Sequence, residues 1–180
     1  TWNPGGLWRP VHVFDTGPVR VDRFRVLCRD ADETRAHVLL AARLDSDGPR
    51  SVVVRTTVDG ELVDEQVRRV ATGLNEISWN LDIADPDLWW PRSLGDQPLT
   101  TVAVDVVADG VVSDARARRT GLRVVAWNDW QCSVNGERLF LKGANLLPTA
   151  AALAEVSPAD ARRDVELAAE AGLDALRVHG

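Results

Sequence analysis

The chain has 180 residues, a formal net charge of −6 and 45% hydrophobic residues. That apolar content supports one large folded domain, or one small domain plus part of another, and excludes a disordered chain. The acidic balance argues against nucleic acid as the main partner, and no run approaches the roughly 18 consecutive apolar residues of a membrane-crossing helix.

Cys28 and Cys132 are too few and too far apart for a disulfide framework or a structural zinc site, and are expected to be buried free thiols. The chain contains no methionine, so it is expected to be a piece of a longer protein. In the first 18 residues, Val11 and Val13 alternate ahead of Asp15-Thr16-Gly17-Pro18, which reads as one strand and a turn that must pair with material upstream.

From 19 to 125 the pattern is all-β. Val19 to Val26, His37 to Leu44, Ser51 to Val58, Leu62 to Val70, Leu74 to Ile83, Thr101 to Val107 and Val111 to Arg118 read as short strands, with hairpin turns at Asp59-Gly60 and Asp109-Gly110. This predicts an immunoglobulin-like β-sandwich, although the Cys–Trp–Cys signature of antibody domains is absent.

From 126 to 180 the period changes. Asn135-Gly136 predicts a hairpin, and a strand through Leu139 and Leu141 ends at the small residues Gly143-Ala144. Ser157-Pro158-Ala159-Asp160 reads as a helix start, with Ala161, Val165 and Ala168 on one face and Gly172 as the stop. Asp174 to Val178 is then a strand. Strand, helix, strand is the βαβ unit of a parallel sheet or barrel, here truncated.

Four segments in order resemble glycoside hydrolase family 2, with β-mannosidase-like members nearest. They are Gly5-Gly6-Leu7-Trp8-Arg9-Pro10-Val11, Asp87-Leu88-Trp89-Trp90-Pro91 with Gln97-Pro98-Leu99, Val134 to Asn145, and Ala171 to Gly180. The resemblance implies three parts: the last strand of a sugar-binding jelly roll over 1–18, the sandwich over 19–125, and the start of a (β/α)8 barrel over 126–180. It implies retaining hydrolysis of terminal β-glycosides by two carboxylates about 5 Å apart. In the family both come from later strands. Asn75-Glu76 opens a sandwich strand, so no residue here is expected to be catalytic and the chain alone is expected to be inactive.

What the chain offers is pocket lining. Barrel sites lie at the C-terminal ends of strands, where Asn145 and His179 fall, and Arg177 shares the side of His179. Each of the three is a candidate for binding sugar hydroxyls. Each also has a structural alternative: Asn145 in satisfying loop backbone, Arg177 in a barrel-interior ion pair, His179 in capping the barrel. Leu146 and His179 stand where β-mannosidases often carry tryptophan. Trp89 and Trp90 suit sugar stacking or, more simply, core filling.

His12 and His37 lack metal-ligand spacing, Asp45, Asp47 and Gly48 match a calcium loop only in part, and no metal or cofactor is implied. The expected partners are a β-linked saccharide and the missing jelly-roll and barrel domains, with a dimer through the exposed barrel edge as a further option. The alternatives are a non-catalytic carbohydrate-binding or scaffolding module and, among enzymes, a β-galactosidase or β-glucuronidase.

Overall fold

The computed structural model describes residues 10–150 and 155–178. The described residues form two compact units, one spanning Asp15–Leu139, the other containing the described residues of 1–14 and 140–180.

Seven strands build the sandwich: β1 (Val19–Ala31), β2 (Arg35–Ser46), β3 (Arg50–Val58), β4 (Glu61–Val70), β5 (Gly73–Ala84), β6 (Thr100–Ala108) and β7 (Val111–Thr120). They are the expected seven. One sheet runs β1-β2-β5 and the other β4-β3-β6-β7, with every strand pair antiparallel. The fourth strand thus folds back on the third and stays in its sheet. The turns at Asp59-Gly60 and Asp109-Gly110 have both central residues at positive φ, as tight hairpins with a right-handed twist require.

Between the sheets lie Val19, Val21, Phe24, Val38, Leu40, Leu44, Val52, Val54, Val102, Val104 and Val106, all at most 2% exposed. Phe24 stacks on Trp79 with ring centroids 6.4 Å apart, and Trp79 Nε1 donates to the buried Thr56 hydroxyl at 3.1 Å. The aromatic pair belongs to the buried core, with no disulfide beside it among the described residues. Cys28 is half-buried, Cys132 is buried, and both are free thiols as expected.

A three-stranded sheet is narrower than the four-stranded sheet it faces, and the sequence adapts to the difference. Directly opposed residues share a face. Asp64, Gln66 and Arg68 of β4 oppose the buried Thr56, Val54 and Val52, so these polar side chains sit on the core face. Asp114, Arg116 and Arg118 of β7 likewise oppose the buried Val106, Val104 and Val102. Each edge ties its charges together: Gln66 Nε2 donates to Asp64 at 2.6 Å and Arg68 donates to Gln66, while Arg116 Nη1 donates to Asp114 at 2.7 Å. Inward charges at both edges oppose pairing with another sheet.

Two bulges meet where the sandwich closes. Ser113 is the extra residue of β7, and Asp22 is the extra residue at the first of two bulges in β1. The Ser113 hydroxyl accepts from Val19 N and donates to Val19 O, both at 2.8 Å, and Asp114 accepts from Val21 N at 2.8 Å. Hydrogen bonding to Arg43 holds the Asp22 carboxyl below its ordinary pKa. Gly17 N donates to Ser113 O at 2.7 Å, and a Cβ on Gly17 would lie 2.8 Å from Ser113 Cα, so the chain enters here only without a side chain.

Beyond the sandwich, β8 (Val125–Asn128), β9 (Gln131–Val134) and β10 (Glu137–Leu139) form an antiparallel sheet in the order β10-β9-β8 that groups with it. In the second unit, β11 (Gly143–Leu146) and β12 (Ala175–Val178) pair in parallel, joined through α1 (Pro158–Glu170). Helix α1 begins with a Ser157–Asp160 capping box and Pro158. It ends with Gly172 at φ 73°, Gly172 N donating to Ala169 O and Leu173 N to Ala168 O, which is the Schellman arrangement.

Two expectations need correction. Residues 10–17 form no strand, and Val11 and Val13 are 74% and 90% exposed, because two alternating valines make no strand without a partner. The strand expected through Leu139 and Leu141 to Gly143-Ala144 is broken at Phe140–Lys142 and becomes two strands in different sheets, a change that alternation does not register. The face of α1 that carries Val165 is exposed, Val165 by 53%, since two strands offer too little surface to cover a helix.

Ser113→Ala leaves both backbone groups of Val19 without their partner in a buried setting and is expected to cost about 1–3 kcal/mol, read as a lower urea midpoint with unchanged slope. Hydrogen bonding to Ser157 lowers the Asp160 pKa, so its contribution is complete at neutral pH and is lost as pH falls through that lowered value. Acidification is therefore expected to lower the amide-exchange protection factors of the first turn of α1, taken against the intrinsic rate at each pH, before those of the sandwich fall.

Candidate functional site

The parallel pair brings two of the three candidate residues together. Gly143 faces Ala175 and Asn145 faces Arg177 in register, so these four residues share one face, while Ala144, Leu146, Leu176 and Val178 take the other. Arg177 Nη1 donates to Asn145 Oδ1 at 3.3 Å, across the C-terminal halves of both strands. Together with Gly143, Ala144 and Ala175 they line an open recess of about 220 Å³. Gly143 allows the close approach of β12, since a Cβ there would lie 3.0 Å from Ala175 O. His179 lies outside the described residues.

Asn145 therefore has one amide oxygen engaged by a guanidinium and its amide nitrogen available as a donor. Arg177 is exposed and has further N–H donors. This surface is suited to hydroxyl and carboxylate oxygens.

At the opposite end of the strands, the lone lysine Lys142 pairs with the nearly buried Asp174 at 3.2 Å, and Lys142 O accepts from Asp174 N and Ala175 N. This ties the start of β12 to the approach of β11 and sets the register that aligns Asn145 with Arg177. The sequence reading did not single it out, and the only signal was the isolation of the one lysine. Thr149 Oγ1 bonds Asp164 at 2.6 Å and fastens the loop after β11 to α1.

Trp89 and Trp90 are both half-buried and pack against glycines. Trp89 lies against Gly121, where an added Cβ would come within 2.5 Å of Trp89 Cγ, and the Arg123 guanidinium stands 4.6 Å from the ring centroid. Trp90 packs on Gly95 and lines an open cleft with Asp87, Leu88 and Gln97. Asn75 braces the turn into β5 by bonding Ala71 and Gly73, and Glu76 is exposed beside it, so this pair is structural. His37 forms a surface pair with Asp82 at 2.7 Å; Asp45 pairs with Arg20 and Asp47 with Arg50. Among the described residues no group of three or more His, Cys, Asp or Glu is placed to hold a metal.

The chain is 30% identical to Beta-mannosidase A of Aspergillus terreus over 97% of its length and 23% of the relative's. It is 29% identical to an exo-beta-D-glucosaminidase of Hypocrea jecorina, over 75% of the chain and 18% of that protein. Its fold matches the crystal structure of a beta-D-mannosidase from Dictyoglomus thermophilum with a TM-score of 0.80 at 26% identity, covering 91% of this chain and 22% of that one. The chain thus spans about a quarter or less of the length of these relatives. The family model for Glycosyl hydrolases family 2 matches residues 19–123, which is most of the sandwich unit, and the chain belongs to that family.

Proposed function

We propose that this chain is part of a retaining glycoside hydrolase that removes terminal β-linked sugars, with a β-mannosidase-like preference. In this reading residues 1–18 end a jelly roll, 19–125 form the immunoglobulin-like domain, and 126–180 begin a (β/α)8 barrel. The observation that carries it is the parallel β11–α1–β12 unit with Asn145 and Arg177 side by side toward the C-terminal ends of its strands, where barrel enzymes hold substrate.

Retaining hydrolysis needs one carboxyl group to protonate the leaving oxygen and a second to attack the anomeric carbon. Among the described residues no pair of carboxylates lines the recess, whose polar side chains there are Asn145 and Arg177. Both catalytic groups are therefore assigned to later barrel strands. Here Asn145 and Arg177 hold and orient: their N–H groups donate to sugar hydroxyl oxygens, or Arg177 steadies a carboxylate contributed by another strand. His179 joins them in this reading. The exo-beta-D-glucosaminidase relative keeps an amino-sugar substrate as the second reading. The isolated chain, with Val165 and Leu167 of α1 at least half exposed, has an apolar surface that self-association would cover.

The 180-residue chain is expected to hydrolyse aryl β-mannoside, β-galactoside, β-glucuronide and β-glucosaminide no faster than buffer. An enzyme that continues this sequence through the remaining strands is expected to cleave at least one, β-mannoside foremost. Turnover by the chain alone, or a continuation without barrel strands, would overturn the reading. In the active enzyme, Asn145→Ala is expected to lower kcat/KM by roughly tenfold or more, the worth of a hydrogen bond to substrate.

A further inference from the structure

The chain has one Asn-Gly dipeptide, Asn135-Gly136, and the fold uses it twice. Its backbone turns β9 into β10, with φ of 51° and 86°. Its side chain ties two other segments together. Asn135 Oδ1 accepts from Val124 N at 2.9 Å, and Nδ2 donates to Trp89 O at 3.1 Å. The backbone N of Asn135 also donates to Val124 O at 2.9 Å. One planar amide thus joins the β9–β10 turn, the segment leaving β7, and the loop that carries the tryptophans. It does so only because it offers an acceptor and a donor together.

Asn-Gly is also the dipeptide in which the following backbone nitrogen most readily reaches the side-chain carbonyl, since glycine carries no side chain to obstruct it. Gly136 is exposed, and nothing lies within 4 Å of where its Cβ would be. The two side-chain hydrogen bonds are what restrain the amide.

We propose that Asn135 is a site of spontaneous deamidation, slowed by the side-chain bonds to Val124 and Trp89, and that modification there releases the β9–β10 hairpin from the tryptophan loop. Gly136 N attacks Asn135 Cγ, the new N–Cγ bond closes a succinimide, the Cγ–Nδ2 bond breaks, and the nitrogen leaves with the displaced backbone proton as ammonia. Water then opens the ring at either carbonyl to give aspartate or isoaspartate. Aspartate turns a carboxylate oxygen toward Trp89 O, so two acceptors meet where a donor had been. Isoaspartate in addition lengthens the turn backbone by one carbon and spoils its two-residue geometry. Neither product restores the tie.

The test compares the folded chain with the same chain unfolded in urea, at one mildly alkaline pH, by peptide mass mapping over time. In urea Asn135 is expected to deamidate faster than Asn3, Asn75, Asn80, Asn128 or Asn145. In the folded chain its rate is expected to fall by roughly tenfold or more, because two ordinary hydrogen bonds must open first. The aged folded chain, separated by its added negative charge, is expected to lose amide-exchange protection across residues 125–139 while β2 and β3 keep theirs. Because that species folded before it was modified, the result stands even if Asn135→Asp fails to fold when expressed directly. Equal rates in folded and unfolded chain, or unchanged protection in the modified chain, would overturn the proposal.

Discussion

The sandwich is organised by a mismatch of width. Three strands lie over four, so a core built only from apolar residues would leave oily margins along β4 and β7. The sequence instead places a short polar ladder on the inner face of each outer strand, Asp64–Gln66–Arg68 on one and Asp114–Arg116–Arg118 on the other. The aliphatic stems of the arginines contribute apolar cover, and Arg68 and Arg116 turn their guanidinium groups to Gln66 and Asp114. The central strands carry mainly valine, leucine and alanine at their inward positions, and their packing defines the core.

Within that frame, two small polar side chains tie segments distant in sequence. Ser113 holds the first strand to the last at one corner, and Asn135 holds the outgoing hairpin to the tryptophan loop. Both sit at irregular backbone, a bulge and a tight turn, where ladder hydrogen bonds are interrupted and a side chain must supply the missing partner. The Lys142–Asp174 pair plays a similar part beside the parallel strands.

The sequence revealed most where local chemistry leaves little choice. The Asp-Gly and Asn-Gly turns were legible because few residues accept two successive positive φ values. Strand β5 was legible because Ile77, Trp79, Leu81 and Ile83 alternate inward. Helix α1 was legible at both ends from its serine cap and its stop glycine. By contrast, the inner faces of β4 and β7 could not be told from their outer faces, since charged residues occupy both. Strand β8 went unseen because its turn runs through Asp129 and Trp130, at φ 43° and 65°, without a glycine to mark it. The break at Phe140–Lys142 is invisible to alternation because both flanking segments are extended. At the recess, strand position identified Asn145 and Arg177 as candidates, but their contact depends on the register of two strands separated by a helix, which no local pattern encodes.

The Ser113–Val19 contact joins residues 94 positions apart. A contact of that span closes a long loop, and the lost chain entropy must be met before any part of the corner gains from it. The β3–β4 and β6–β7 hairpins can form early, since each is closed by a two-residue turn. The first strand is different: it pairs with β2 at once, yet its corner with β7 waits for nearly the whole sandwich to be synthesised. On a ribosome adding about 5–20 residues per second, that leaves several seconds in which the nascent chain has hairpins but no closed corner. The order of events along the chain is therefore set by where this one serine stands.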